Sequence, residues 1–142
     1  MIILLLIGGI FFISFIFYHK PGTAETKEAV FAGGCFWCME HPFEKLDGVY
    51  SVESGYTGGD LENPDYRSVS TGYTGHTEAI RIIYDPQKID YRTLIEVFFR
   101  QIDPTDSEGQ FVDRGDHYRP AVFYSNENEK IIAQNYITEL DT

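Results

Sequence analysis

The short apolar run Glu28 to Ala32 (EAVFA) is cut off by two consecutive glycines, Gly33 and Gly34, and the next residue is a cysteine. This junction narrows the fold more than any other feature. The run suits a buried strand, and glycines let the backbone turn sharply. A helix can then start at Cys35 and run through Leu46, with Pro42 restricting its first half. The same two periodicities recur downstream. Val49 to Gly55 alternates like a strand, and Thr57 to Asp65 holds Gly58, Gly59, Asn63 and Pro64, so it reads as a loop. Glu78 to Tyr84 alternates cleanly, placing Glu78, Ile80, Ile82 and Tyr84 on one face. Asp90 can cap a helix through Gln101 whose stripe is Leu94, Val97, Phe98 and Ile102, and Asp103-Pro104 stops it. Residues 105–117 are polar and read as a long loop of the kind that often carries function. Ala121 to Tyr124 is another strand, and Ser125 can cap a final helix with Ile132, Tyr136, Ile137 and Leu140 on one side. Strands and helices mix without a strict βαβ repeat, so the expected architecture is an α+β two-layer sandwich with a mixed sheet.

The 142 residues allow one domain of ordinary size. With 43% hydrophobic and 23% charged residues the composition is that of a globular chain. Eleven Lys and Arg against 22 Asp and Glu give a net charge of −11, which excludes the basic footprint a nucleic-acid partner requires. Ile2 to Tyr18 is an uncharged apolar run that would span roughly 26 Å as a helix, just short of a bilayer core of about 30 Å. Residues 1–24 are therefore expected to form a hydrophobic anchor or signal segment, with contact to a membrane through residues 2–18 if they are not cleaved. The expected location is membrane-associated or exported. Residues 25–142 form the expected folded domain, cut short at its C-terminal end because the final helix reaches the last residue without a stop signal.

Two cysteines cannot make a disulfide scaffold or a four-thiolate zinc site, but Cys35 and Cys38 can make one redox pair. A thiol at a helix N-terminus faces unpaired N–H groups and the positive end of the dipole, which favour the reactive thiolate. Residues three apart share a helical face, about 5–6 Å apart between Cβ atoms, within modest adjustment of disulfide geometry. A pair of ordinary buried thiols is the alternative; a zinc half-site lacks any second ligand pair to complete it. Phe36 and Trp37 between the cysteines form an apolar box suited to a small apolar group such as a methyl on sulfur. A thiol–disulfide exchanger and a non-enzymatic groove for methionine-containing peptides compete with this reading.

Gly34-Cys35-Phe36-Trp37-Cys38-Met39-Glu40 resembles the signature of the A-type peptide-methionine (S)-S-oxide reductases. Further segments look like that family in order and spacing. They are Ser54 to Gly59, Asn63-Pro64-Asp65-Tyr66, Thr74 to Ala79, Asp103 to Asp106, and Gly109 to Gly115 followed by Tyr118-Arg119. The resemblance implies a ferredoxin-like core and reduction of methionine S-sulfoxide, free or in proteins, without a metal or organic cofactor. It implies Cys35 as the nucleophile on the sulfoxide sulfur, Phe36 and Trp37 as the methyl pocket, and Glu78 as the acid that protonates the departing oxygen. Tyr66 and Tyr118 match hydroxyls that bond that oxygen, and Asp113 a polar residue that organises the site. Many members recycle through cysteines near the C-terminus, and this sequence has none there. Either Cys38 resolves the oxidised Cys35 or later cysteines do; Cys38 is the expected resolving residue, with a thioredoxin-like protein as external reductant. The protein is expected to be a monomer. His76 and His117 are given no catalytic role.

Overall fold

The computed structural model describes residues 25–141. Its elements are β1 (Lys27–Ala32), α1 (Phe36–Glu44), β2 (Val49–Thr57), α2 (Tyr66–Val69), β3 (Thr77–Tyr84), α3 (Tyr91–Phe99), β4 (Gly109–Gln110), β5 (Asp113–Arg114), a 3-10 turn (Asp116–Tyr118), β6 (Ala121–Phe123) and α4 (Glu127–Leu140). Four strands form one sheet in the order β2-β3-β1-β6, and β4 pairs with β5 in a small hairpin. Without that hairpin and α2, the chain runs β1-α1-β2-β3-α3-β6, which is the ferredoxin-like split βαβ. The α+β class therefore holds. The three ladders of the sheet are all antiparallel, where a mixed sheet was expected.

The period-2 reading of residues 78–84 places the core. Glu78, Ile80, Ile82 and Tyr84 are all at most 2% exposed. In register, Ile80 lies opposite Phe31 and Ile82 opposite Ala29, so this face of β3 continues into β1. Phe31 is the hub, with ring centroids 5.9 Å from Phe43, 6.0 Å from Tyr91 and 5.0 Å from Phe98. Helices α1 and α3 thus cover one face of the sheet. On the other face Arg81 pairs with Glu53 and, at 3.8 Å, with Glu28. Arg92 joins α3 to α4 through a two-pronged bond to Glu139 at 3.1 and 2.6 Å.

Several expectations are corrected. Helix α1 ends at Glu44, because Pro42 forfeits the bond to the Cys38 carbonyl and the chain turns two residues on. Asn126, not Ser125, caps α4: its side chain accepts from Glu129 N at 3.0 Å. The buried residues of α4 are Glu129 and Ala133, while Ile137 and Leu140 are 44% and 48% exposed. The 105–117 segment is not one irregular loop, since it holds the β4–β5 hairpin and the 3-10 turn. The membrane-associated or exported location is also corrected: no helix among the described residues is long and apolar enough to cross a membrane. The run 2–18, with its anchor or signal reading, lies outside the described residues.

Candidate active site

The glycine pair has a steric cause on each side. A Cβ on Gly33 would lie 2.8 Å from Ile102 Cγ2 and 3.0 Å from the end of Met39. Gly34 has a left-handed φ of +88°, and a Cβ there would meet Gln110 Cβ at 2.8 Å. The strand can therefore reverse tightly into α1 only through small residues, and the hairpin base at Gln110 closes against the turn. Cys35 is the N-cap of α1; its carbonyl accepts from Cys38 N at 3.0 Å and Met39 N at 3.3 Å. Its thiol is half-buried, that of Cys38 is exposed, and neither is in a disulfide. Cys38 follows one helical turn later, close enough for the two thiols to influence one another electrostatically. Residual desolvation pushes the Cys38 thiol up, followed by the nearby Cys35 and by the charge of Asp113.

Glu78 enters from the neighbouring strand. Its carboxyl is buried and its Oε2 accepts from Phe36 N at 3.1 Å. Phe36 is the first helical residue, so this bond satisfies one of the amides that every helix start leaves open. The carboxyl consequently stands one peptide unit from Cys35. Burial pushes its pKa up, the Phe36 amide opposes this, and the nearby Asp113 charge adds to the rise; the net direction is upward.

The remaining expected residues surround this pair. The Tyr118 hydroxyl is pushed up to about 12, by burial first and then by Glu78, Tyr66, Asp113 and Cys35, so it stays protonated near neutrality. Tyr66 is 60% exposed and opens α2, which Asp65 and Ser68 cap reciprocally at 2.7 and 3.1 Å. Asp113 opens β5 opposite Gln110. Phe36 is buried and Trp37 is 74% exposed, with stacked rings 5.9 Å apart. All eight residues named from the sequence therefore lie on or about one junction, where the C-terminal end of β1 meets the N-terminal end of β3.

Sequence reasoning missed three contributors. Tyr56 packs on Phe36 at 5.7 Å between centroids and lies opposite Glu78 in the β2–β3 register. It extends the aromatic box by a third ring, and its hydroxyl is raised by burial and then by Glu78. Buried Gln110 holds the preceding loop: its Oε1 accepts from Asp103 N at 2.6 Å and its amide donates to Asp103 O at 3.0 Å. Buried Thr77 donates to the His117 carbonyl at 2.9 Å. No local periodicity signals these roles, since each depends on a distant partner. His76 serves as a loop clasp between Gly59 N (3.2 Å) and Leu61 O (3.0 Å). Among the described residues no three His, Cys, Asp or Glu side chains gather as a metal-ligand set.

A half-buried thiol, a second free thiol three residues on, a buried acid and a phenol that remains a donor make a site suited to attack on an electrophilic sulfur with proton delivery to its oxygen. The family model described as peptide methionine sulfoxide reductase matches residues 27–142. The chain is 61% identical over 108 residues to the peptide methionine sulfoxide reductase MsrA of Streptococcus uberis, covering 76% of this chain and 64% of that protein. It superposes on methionine sulfoxide reductase A of Corynebacterium diphtheriae with a TM-score of 0.75 and 31% identity, covering 84% of this chain and 60% of that one. For the reduced form of Mxr1 from Saccharomyces cerevisiae the TM-score is 0.74 at 30% identity, over 82% of this chain and 71% of that one. The chain thus spans just under two thirds of the length of the curated relatives it matches. The family model spans the glycine turn, the cysteine junction and the strand of Glu78, and the chain belongs to the peptide methionine sulfoxide reductase family.

Proposed function

We propose that the domain from residue 25 onward reduces methionine S-sulfoxide, free or in proteins, to methionine, as a thiol-dependent repair enzyme. The observation that carries this reading is the buried Glu78 carboxyl bonded to the amide that follows Cys35. A sulfoxide oxygen is a strong acceptor and a poor leaving group, so it must receive a proton as sulfur is attacked. A carboxyl raised by desolvation holds that proton at a pH where an ordinary glutamate has lost it.

In the proposed cycle Cys35 Sγ attacks the sulfoxide sulfur while Glu78 protonates the oxygen and Tyr118 and Tyr66 hydrogen-bond it. The S-methyl sits against Phe36 and Trp37. The attack forms a bond between Cys35 Sγ and the methionine sulfur, which still carries the protonated oxygen. The oxygen then passes to Cys35 Sγ as the S–S bond and the methionine S–O bond break, so methionine leaves reduced by two electrons and Cys35 is left as a sulfenic acid. Cys38 then attacks the Cys35 sulfur, water departs, and a Cys35–Cys38 disulfide remains. Asp113 helps to organise the acid and the resolving thiol. An external dithiol closes the cycle by exchange. The solution of Mxr1 in complex with Trx2 supports a thioredoxin-like protein in that role.

Turnover of a methionine sulfoxide peptide with dithiothreitol tests the reading. Wild type is expected to form methionine and Cys35→Ser to form none. Equal rates for the two would end it.

A further inference from the structure

Thr77 directly precedes the proposed acid in β3 and is fully buried. Its Oγ1 donates to the His117 carbonyl at 2.9 Å, with a longer approach of 3.4 Å to the Arg119 carbonyl. Those two carbonyls belong to the residues on either side of Tyr118. We propose that Thr77 is a positioning residue for the reaction: its hydroxyl fastens the backbone flanking Tyr118 to the strand that carries Glu78, and so sets the phenol against the acid. The inference rests on the reductase reading above.

Four further observations agree. Successive side chains leave a strand on opposite faces, so Thr77 can grip the turn without competing for the Glu78 carboxyl. The 3-10 turn that bears Tyr118 is three residues long; Tyr118 N–H reaches back to Gly115 O at 2.9 Å and Arg119 bonds Asp116, all within the turn itself, so the bond from Thr77 is what ties it to β3 in the interior. The other tie to the segment before β3 is Arg119, whose guanidinium donates to Gly75 O at 3.0 Å from a solvent-exposed position. The Thr77 bond is the buried one. The His117 ring lies 4.1 Å from the Tyr118 ring, so a shift at the His117 carbonyl is passed to the phenol through both backbone and ring. A displacement of about 1 Å at a reacting group can cost about 10²-fold in rate.

The test is single-turnover formation of methionine from N-acetylmethionine (S)-sulfoxide by the pre-reduced full chain. The variants are Thr77→Val, Thr77→Ser, Tyr118→Phe and the double variant Thr77→Val/Tyr118→Phe. Valine fills the same space without the hydroxyl. The expected result is a loss of about 10–10²-fold in Thr77→Val, with most of the rate restored in Thr77→Ser. Because Thr77 acts through Tyr118, the double variant is expected to be no slower than Tyr118→Phe alone. The proposal is overturned by full activity in Thr77→Val, by a Thr77→Ser as slow as the valine variant, or by losses that multiply in the double variant. Far-UV circular dichroism checks folding, and if Thr77→Val does not fold, Thr77→Ala takes its place with the same expectations. Wild type separates the two readings: no methionine from wild type refutes the reductase, whereas an active wild type with an unaffected Thr77→Val refutes only the positioning role.

Discussion

Glu78 serves two groups with opposite demands. The Phe36 amide is best served by a carboxylate, while burial and the neighbouring Asp113 favour the neutral acid, and the net shift is upward. Glu78→Gln keeps an oxygen for the amide and removes the proton donor. Methionine formation is expected to fall by about 10²–10⁴-fold, the usual cost of losing a general acid. The wild-type rate is expected to fall as pH rises through the raised value, and the glutamine variant to lack that limb. The stability contribution has the same sign. A carboxyl whose folded pKa is raised lends stability that is complete below its unfolded value, near pH 4.3, and is lost as pH rises through the folded value. At pH 8 Glu78→Gln is therefore expected to resist urea at least as well as wild type; a clear loss of resistance would show that the charged form is the one the fold needs. At the second thiol, Cys38→Ser is expected to release one equivalent of methionine and then stall with a thioredoxin reductant, as measured by the amino acid released. Normal thioredoxin-driven turnover would remove Cys38 from the cycle.

The glycine turn and the helix caps decide where the elements begin. Gly34→Ala adds a Cβ at φ +88° and 2.8 Å from Gln110 Cβ. It is expected to cost at least about 1–2 kcal/mol for the left-handed backbone alone and to slow catalysis by moving Cys35, as read by denaturant midpoint and rate together. Asn126→Ala, at the other end of the molecule, is expected to cost about 1 kcal/mol with the rate unchanged. These elements also mark how far the sequence is legible. The strand at 78–84, the Asp90 cap and the glycine turn are local patterns, and each stands where its pattern puts it. The cap of α4 is ambiguous in sequence because Ser125 and Asn126 are both good caps, and the bond that Asn126 accepts from Glu129 N decides between them. Ile137 and Leu140 share a helical face, but periodicity does not say whether a neighbour covers it. The two-residue strands of the 109–114 hairpin are too short to show any period. Tyr56 reaches the site through its register opposite Glu78, and register between strands is not a local property.

At the scale of the molecule, acidity is distributed so that surface and site respond oppositely to pH. Asp65, Asp90, Asp103, Asp106 and Glu139 are all held below the usual carboxylate range by bonds to Ser68, Thr93, Thr105, Arg114 and Arg92 respectively. Depressed folded values give stability that is present above the unfolded value near pH 4 and is lost as pH falls through the folded ones. The urea midpoint is expected to drop steadily below about pH 4, and a midpoint flat down to pH 2 would contradict these bonds. The ferredoxin-like frame gives this scale its functional meaning: antiparallel β1 and β3 place a turn that ends one strand beside the start of the other, and so bring Cys35 and Glu78 together from 43 positions apart. The most direct test reacts the pre-reduced chain, without any external reductant, with a peptide containing methionine (S)-sulfoxide and analyses both products by mass spectrometry. The expected result is one methionine per chain and a protein lighter by two hydrogens, with Cys35 and Cys38 joined. Unchanged peptide, or methionine formed while Cys35 remains a free thiol with no Cys35–Cys38 bond, would contradict it.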